Sequence, residues 1–138
     1  LNVLAGAVLM DPEVTGEARD LGRVGPWAVG TTKTLVRLDA DYRTDLEGLS
    51  LSVAVVYAGE RAASARPYAE LGGEQLTVPA MTTVDLGARY PFKVRETPMS
   101  ARLVVANVFD EDGWRIVAAN SYQATDTRRV SLFLVADF

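Results

Sequence analysis

The sequence predicts an all-β protein, an antiparallel meander of about six strands in the wall of a transmembrane β-barrel. Three observations point there. Apolar side chains recur at every second position in separate stretches, which puts them on one face of an extended strand. The stretches run roughly 10–14 residues, longer than the usual five or six of soluble sheets and enough for a tilted strand to cross a bilayer. The connections alternate long, short, long, short, long. A membrane barrel shows that asymmetry, with short turns on one side and long loops on the other.

The closing stretch, 129–138, alternates most strictly: Val130, Leu132, Leu134, Ala136 and Phe138 fall on one face, with Ser131, Phe133, Val135 and Asp137 on the other. Taken alone, these residues also fit an edge strand of a soluble β-sandwich. The opening stretch, 1–10, mixes Ala5, Gly6 and Ala7 among Val3, Leu4, Val8 and Leu9, and no charged segment precedes it as in a signal peptide. It reads as a strand entered in its middle, so the chain is expected to be a fragment of something longer.

A polar stretch with four glycines, 11–30, forms the first long loop. The strand at 31–42 places Thr34, Val36, Leu38, Ala40 and Tyr42 opposite Lys33, Leu35, Arg37, Asp39 and Asp41. After a short break at 43–48, residues 49–59 set Leu51, Val53, Val55 and Tyr57 against Ser50, Ser52, Ala54 and Val56. The second long loop spans 60–78. Residues 79–92 carry Thr82, Val84, Leu86, Ala88, Tyr90 and Phe92 on one face and Asp85, Gly87 and Arg89 on the other, with Pro91 at the strand end. A turn at 93–98 leads into 99–110, where Leu103, Val105 and Phe109 oppose Arg102, Val104 and Ala106. The third long loop is 111–128. With the last strand ending at the periplasm, all three long loops fall outside the cell and both short turns inside.

Composition narrows the chemistry. The 138 residues include no Cys and no His. That excludes disulfides, thiolate or imidazole zinc sites and Ser–His–Asp triads built from this chain. A net charge of −4 and a pI near 4.8 give no footing to nucleic acid. No apolar run approaches the ~18 residues of a membrane helix, although closed barrels cross bilayers with strands instead.

The two faces differ in kind. One is uniformly apolar; the other mixes charges with Gly and Ala, as a wet lumen would. Arg37, Asp39, Asp41, Asp85, Arg89 and Arg102 are expected to face that lumen, while Tyr42, Tyr57, Tyr90 and Phe92 form an aromatic girdle. A sandwich core with aromatics at its rim is the competing reading. Asp39 and Asp41 share a face as a glycosidase pair would, yet with Arg37 beside them they read as lumen ion pairs. Asp110-Glu111-Asp112-Gly113 has the start of a calcium loop but not its remaining ligands, and reads as a solvated tip.

Three motifs carry a family resemblance. Val78-Pro79-Ala80-Met81-Thr82-Thr83-Val84-Asp85-Leu86-Gly87-Ala88-Arg89-Tyr90 looks like the strand of TonB-dependent receptors that commonly reads "lPaYttvDlgarY". Ala106-Asn107-Val108-Phe109-Asp110 followed by Trp114 is similar to their "NLfD..YW". Thr127-Arg128-Arg129-Val130-Ser131-Leu132 resembles the "PRtvslsl…F" opening their final strand, without its Pro.

The resemblance covers essentially the whole chain and has the flavour of siderophore receptors. It implies the last six strands of a plugged, roughly 22-strand barrel in the bacterial outer membrane, monomeric when full length. The plug and the TonB box, through which the energising TonB complex acts, would precede this segment. The implied function is active uptake of a ferric siderophore, with no enzymatic step, no cofactor and no metal ligands of the receptor's own. Outer-loop contacts would come from Trp27, Arg61, Arg66, Tyr68, Trp114, Arg115 and Tyr122, and Phe138 would be the assembly signal. A small outer-membrane porin and a soluble β-sandwich binding module are the alternatives from other classes.

Overall fold

A computed structural model describes residues 1–46 and 48–136. It contains ten strands: β1 (Asn2–Leu9), β2 (Thr34–Arg43), β3 (Ser50–Ala58), β4 (Arg61–Tyr68), β5 (Glu74–Val78), β6 (Met81–Val94), β7 (Thr97–Ala106), β8 (Trp114–Ala118), β9 (Ser121–Ala124) and β10 (Arg129–Ala136). One helical turn, α1 (Glu17–Asp20), lies in the first long loop. Six strands form a single antiparallel sheet in the order β1-β2-β3-β6-β7-β10, while β4-β5 and β8-β9 are separate hairpins.

The sheet is the meander expected, and its register explains why the apolar parities agree between strands. Residues directly opposite in an antiparallel pair share a face. One row runs Val3, Ala40, Val53, Leu86, Val105, Val130 across all six strands. The next runs Tyr42, Leu51, Ala88, Leu103, Leu132. On the other face a row passes through Asn2, Asp41, Ser52, Gly87, Val104 and Ser131. A slip of one residue between any two strands would have broken these rows.

Neither face carries a second layer among the described residues. Leu86 is 45% exposed, Leu103 42% and Leu132 65%, and among the described residues the only buried apolar side chains are Ala62, Ala63 and Val78, all outside the six-stranded sheet. Covering one such leucine is worth ~1.5–3 kcal/mol. A contiguous apolar face of this extent is far larger than water-facing surfaces tolerate.

Several boundaries differ from the sequence reading. β6 does not stop near Pro91 but continues to Val94, so the second short turn shrinks to Arg95-Glu96, with Arg95 at φ +57°. β3 pairing ends at Ser50–Arg89, so beyond it β6 has only β7 as a neighbour and a missing N–H is tolerated. β7 ends at Ala106, which leaves Phe109 outside the strand and 73% exposed rather than on the apolar face. The second and third long loops each fold into a hairpin. Phe138, expected to be the assembly signal, lies outside the described residues.

Candidate functional site

All three long connections leave the same end of the sheet, and there they pack on one another around β4. The centre is Ala62-Ala63-Ser64, each 0% exposed. Their small side chains let other segments approach the β4 main chain closely. From the first loop, Val29 bridges Ala62 and Thr32 bridges Arg61, while the Gly25 and Gly30 amides donate to the Ala65 and Ala62 carbonyls at 2.9 Å. From the third loop, the Asn120 amide and the Tyr122 hydroxyl both donate to the Ala63 carbonyl, at 3.1 and 3.3 Å.

Gln75 of β5 locks the first loop to this centre. Its amide nitrogen donates to the Trp27 and Ser64 carbonyls at 2.9 and 2.7 Å, and its oxygen accepts from the Trp27 amide at 2.9 Å. Gly25 is required by that arrangement, because a Cβ there would lie 2.1 Å from Gln75 Cδ. Neither Gln75 nor Gly25 stood out in the sequence, since the partners are 48 residues apart.

The third loop is closed at its base by Asn107, 6% exposed and held at φ +49°. Its side-chain nitrogen donates to the Glu111 and Asp126 carbonyls at 2.9 and 3.2 Å, and its oxygen accepts from the Glu111 amide at 3.0 Å. The Asn107 amide donates to the Asp85 carboxylate at 2.8 Å. Asp110, at φ +56°, accepts from the Arg128 amide at 2.7 Å. This acidic run therefore shapes a loop, and no cluster suited to a metal ion occurs among the described residues. The available signal was Asn at a strand end, since Asn tolerates the left-handed conformation.

The expected contact residues divide into groups. Arg61 and Trp114 meet: the Arg61 guanidinium donates to the Trp114 carbonyl at 3.5 Å, and both line a cavity of about 520 Å³ with Val78, Met81, Asp112 and Thr125. The Arg61 Nε is buried without a partner. Trp114 is 53% exposed. Tyr68 and Tyr122 are linked through Asn120 and the Ala63 carbonyl: the Asn120 side-chain oxygen accepts from the Tyr68 hydroxyl at 3.4 Å, and the Ala63 carbonyl accepts from both the Asn120 amide and the Tyr122 hydroxyl. Trp27 stands in a separate hollow of about 570 Å³, with the Lys33 ammonium 4.9 Å from its ring centre. Arg66 and Arg115 are exposed, and neither side chain makes a hydrogen bond or ion pair among the described residues. In the β8–β9 ribbon, Trp114 and Ile116 share a face with Ala124 and Tyr122, while Arg115 and Gln123 take the opposite face. Trp114 and Arg115, neighbours in sequence, therefore point to opposite sides of the ribbon.

The charged residues expected on the second face do share it. Asp39 lies in one row with Ala54 and Asp85, and Arg89 stands directly opposite Arg102. Arg37 donates twice to the Asp39 carboxylate, at 2.6 and 2.8 Å. Asp41 makes no ion pair among the described residues.

No family model matches the chain. Across 140 residues, 99% of its length, it is 29% identical to the ferrichrome receptor FcuA of Yersinia enterocolitica, of which it spans 17%. The crystal structure of BauA, the ferric preacinetobactin receptor from Acinetobacter baumannii, matches with a TM-score of 0.79 at 28% identity, over 99% of this chain and 20% of that one. FpvA of P. aeruginosa, bound to heterologous pyoverdines, shares the fold with a TM-score of 0.66 at 20% identity, over 96% of this chain and 16% of its own. The chain therefore spans a fifth or less of the length of each of these proteins.

Proposed function

We propose that this chain, a segment of the β-barrel of a TonB-dependent siderophore receptor of the bacterial outer membrane, supplies part of the wall and mouth of a transporter that takes up a ferric siderophore. The reading rests on the six-stranded sheet, whose apolar rows are continuous and uncovered while its other face is charged. Hydrocarbon is the solvent that satisfies the first face. The second face then looks into the barrel, and the loop cluster around β4 stands at the outer surface. The plug, the remaining strands and the segment that meets the TonB complex belong to polypeptide outside residues 1–138. The full-length barrel is monomeric and surrounded by outer-membrane lipid.

Transport makes or breaks no bond in the cargo, so no catalytic residue is assigned. The ferric ion enters already coordinated, and the loops supply recognition. The Trp114 indole offers a stacking surface beside the Arg61 guanidinium, which retains donors for an anionic group of the chelate. The test is uptake of radiolabelled ferric siderophores by iron-starved cells carrying the full-length protein. Receptor-dependent uptake of at least one chelate is expected. Trp114→Ala should weaken its apparent affinity roughly tenfold, as loss of ~1–2 kcal/mol of stacking implies. Arg115→Ala, on the other face of the ribbon, should change it less than threefold. Failure to take up any ferric chelate would overturn the function; equal effects of the two substitutions would overturn only the placement of the contact.

A further inference from the structure

The β8–β9 ribbon pairs with no strand of the six-stranded sheet. Its two strands have five and four residues, and their register shifts between Ile116 and Ala118. An isolated hairpin of that size is marginal at best in water, so its pose is set by what it rests on. Among the described residues, the hydrogen bonds that fasten the ribbon to the other loops all involve β4. At the start of β4 the Arg61 guanidinium donates to the Trp114 carbonyl. Two residues on, the Ala63 carbonyl accepts from the Asn120 amide and the Tyr122 hydroxyl. At the end of β4 the Tyr68 hydroxyl donates to the Asn120 side chain.

Trp114, Ile116 and Tyr122 share one face of the ribbon, and that face is turned toward β4. Ile116 lies over Gly30, where a Cβ would meet its Cγ2 at 3.9 Å, and the Gly30 amide is itself bonded to the Ala62 carbonyl. Ala63 is fully buried, and the two donors on its carbonyl use both lone pairs. Tyr122 reaches that carbonyl with a rigid ring that carries its polar atom at the tip. The base of the ribbon is held separately. There the Thr125 amide donates to the Gly113 carbonyl at 2.9 Å, and a Cβ on Gly113 would lie 2.6 Å from Met81 Sδ.

We propose that Tyr122 and Tyr68 are positioning residues of the recognition site. They clamp the third loop onto the second, so that the Trp114 indole stays beside the Arg61 guanidinium, and they do not touch the chelate themselves. The proposal rests on Trp114 and Arg61 receiving the chelate. Two observations favour the indirect role. Neither tyrosine lines the cavity of about 520 Å³ that Trp114 and Arg61 share. The proton that each hydroxyl could offer an anionic ligand is already donated within the protein, to Ala63 and to Asn120. Without the clamp the ribbon is free to rotate about its base, which turns the indole away from the guanidinium.

Tyr122→Phe deletes one oxygen and keeps the ring, and Arg61 reports the result without any ligand. Its Nε is buried beneath the ribbon, so an arginine-selective dicarbonyl such as phenylglyoxal reacts there when the ribbon lifts. In the full-length protein, labelling of Arg61 followed by peptide mapping should be about fivefold faster for Tyr122→Phe, the scale of one lost hydrogen bond. Tyr68→Phe should act in the same direction and less strongly. Arg66, exposed on the same strand, is the control and should react at an unchanged rate. Uptake supplies the second measurement, with ferrichrome and ferric preacinetobactin, the chelates named for two relatives, as probes. Tyr122→Phe should raise the half-saturating concentration about fivefold at an unchanged maximal rate. In a Trp114→Ala background it should add less than about twofold, because it acts through the indole. Unchanged labelling of Arg61, or equal acceleration at Arg66, would overturn the clamp. Full additivity with Trp114→Ala would overturn it too, by showing that Tyr122 meets the chelate directly. Failure of the parent protein to take up either probe counts against the cargo reading alone, since the labelling decides the clamp without substrate.

Discussion

Replacing Asn107 should open the third loop while leaving the sheet intact. The Asn107 side chain makes three hydrogen bonds, to the Glu111 carbonyl, the Asp126 carbonyl and the Glu111 amide, all in a buried position. At ~1 kcal/mol each, Asn107→Ala loses about 3 kcal/mol of local stability. The backbone adds to this, because φ is +49° there and Asn accepts that region more readily than Ala. The expected cost of Asn107→Ala is about 3–5 kcal/mol. Glycine loses the same bonds without the steric penalty, so Asn107→Gly should be milder by about 1 kcal/mol. The Glu111 amide reports the change, since it donates to the Asn107 oxygen. In the full-length protein its hydrogen exchange should accelerate at least a hundredfold for Asn107→Ala, and about fivefold less than that for Asn107→Gly. Amides of β7 and β10 should be unaffected, because their pairing runs from Arg129–Ala106 downward without the side chain. Exchange at Glu111 within threefold of the parent, or a glycine variant worse than the alanine one, would falsify this account of the loop base.

Two further outcomes follow from the same geometry. Leu86→Arg places a charge in the central apolar row, and should cost about 2–4 kcal/mol of folding stability in lipid vesicles if that row lies near mid-bilayer. A loss below ~0.5 kcal/mol would show that Leu86 does not face hydrocarbon. Gly25→Val should drive Gln75 out of its place and release the first loop to protease. Combining it with Gln75→Ala should add little, because both remove the same three bonds. Fully additive losses would mean that Gly25 acts by another route.

Much of the wall was legible in the sequence, because a strand has a strict period of two and antiparallel pairing preserves parity. Val53, Leu86 and Val105 were each assigned to the apolar face separately, and the register puts them in one row. The same logic gathered Arg37, Asp39, Asp85, Arg89 and Arg102 on the opposite face. Local rules misled where a breaker residue met a particular neighbourhood. Pro91 suggested a strand end, yet β6 runs on to Val94 because β3 has already stopped there.

The loop cluster around β4 was decided by tertiary structure alone. Ala62-Ala63-Ser64 has no alternation to mark a strand, and it becomes one because first-loop, β5 and third-loop segments close around its main chain. Trp114 and Arg115 are neighbours in the chain, and the pleat of β8 sends them to opposite faces. Gln75, Asn107 and Gly25 matter through partners that lie far from them in the chain or through a backbone angle. Periodicity registers which face a residue takes within its own strand. It carries no record of which distant carbonyl that residue will meet.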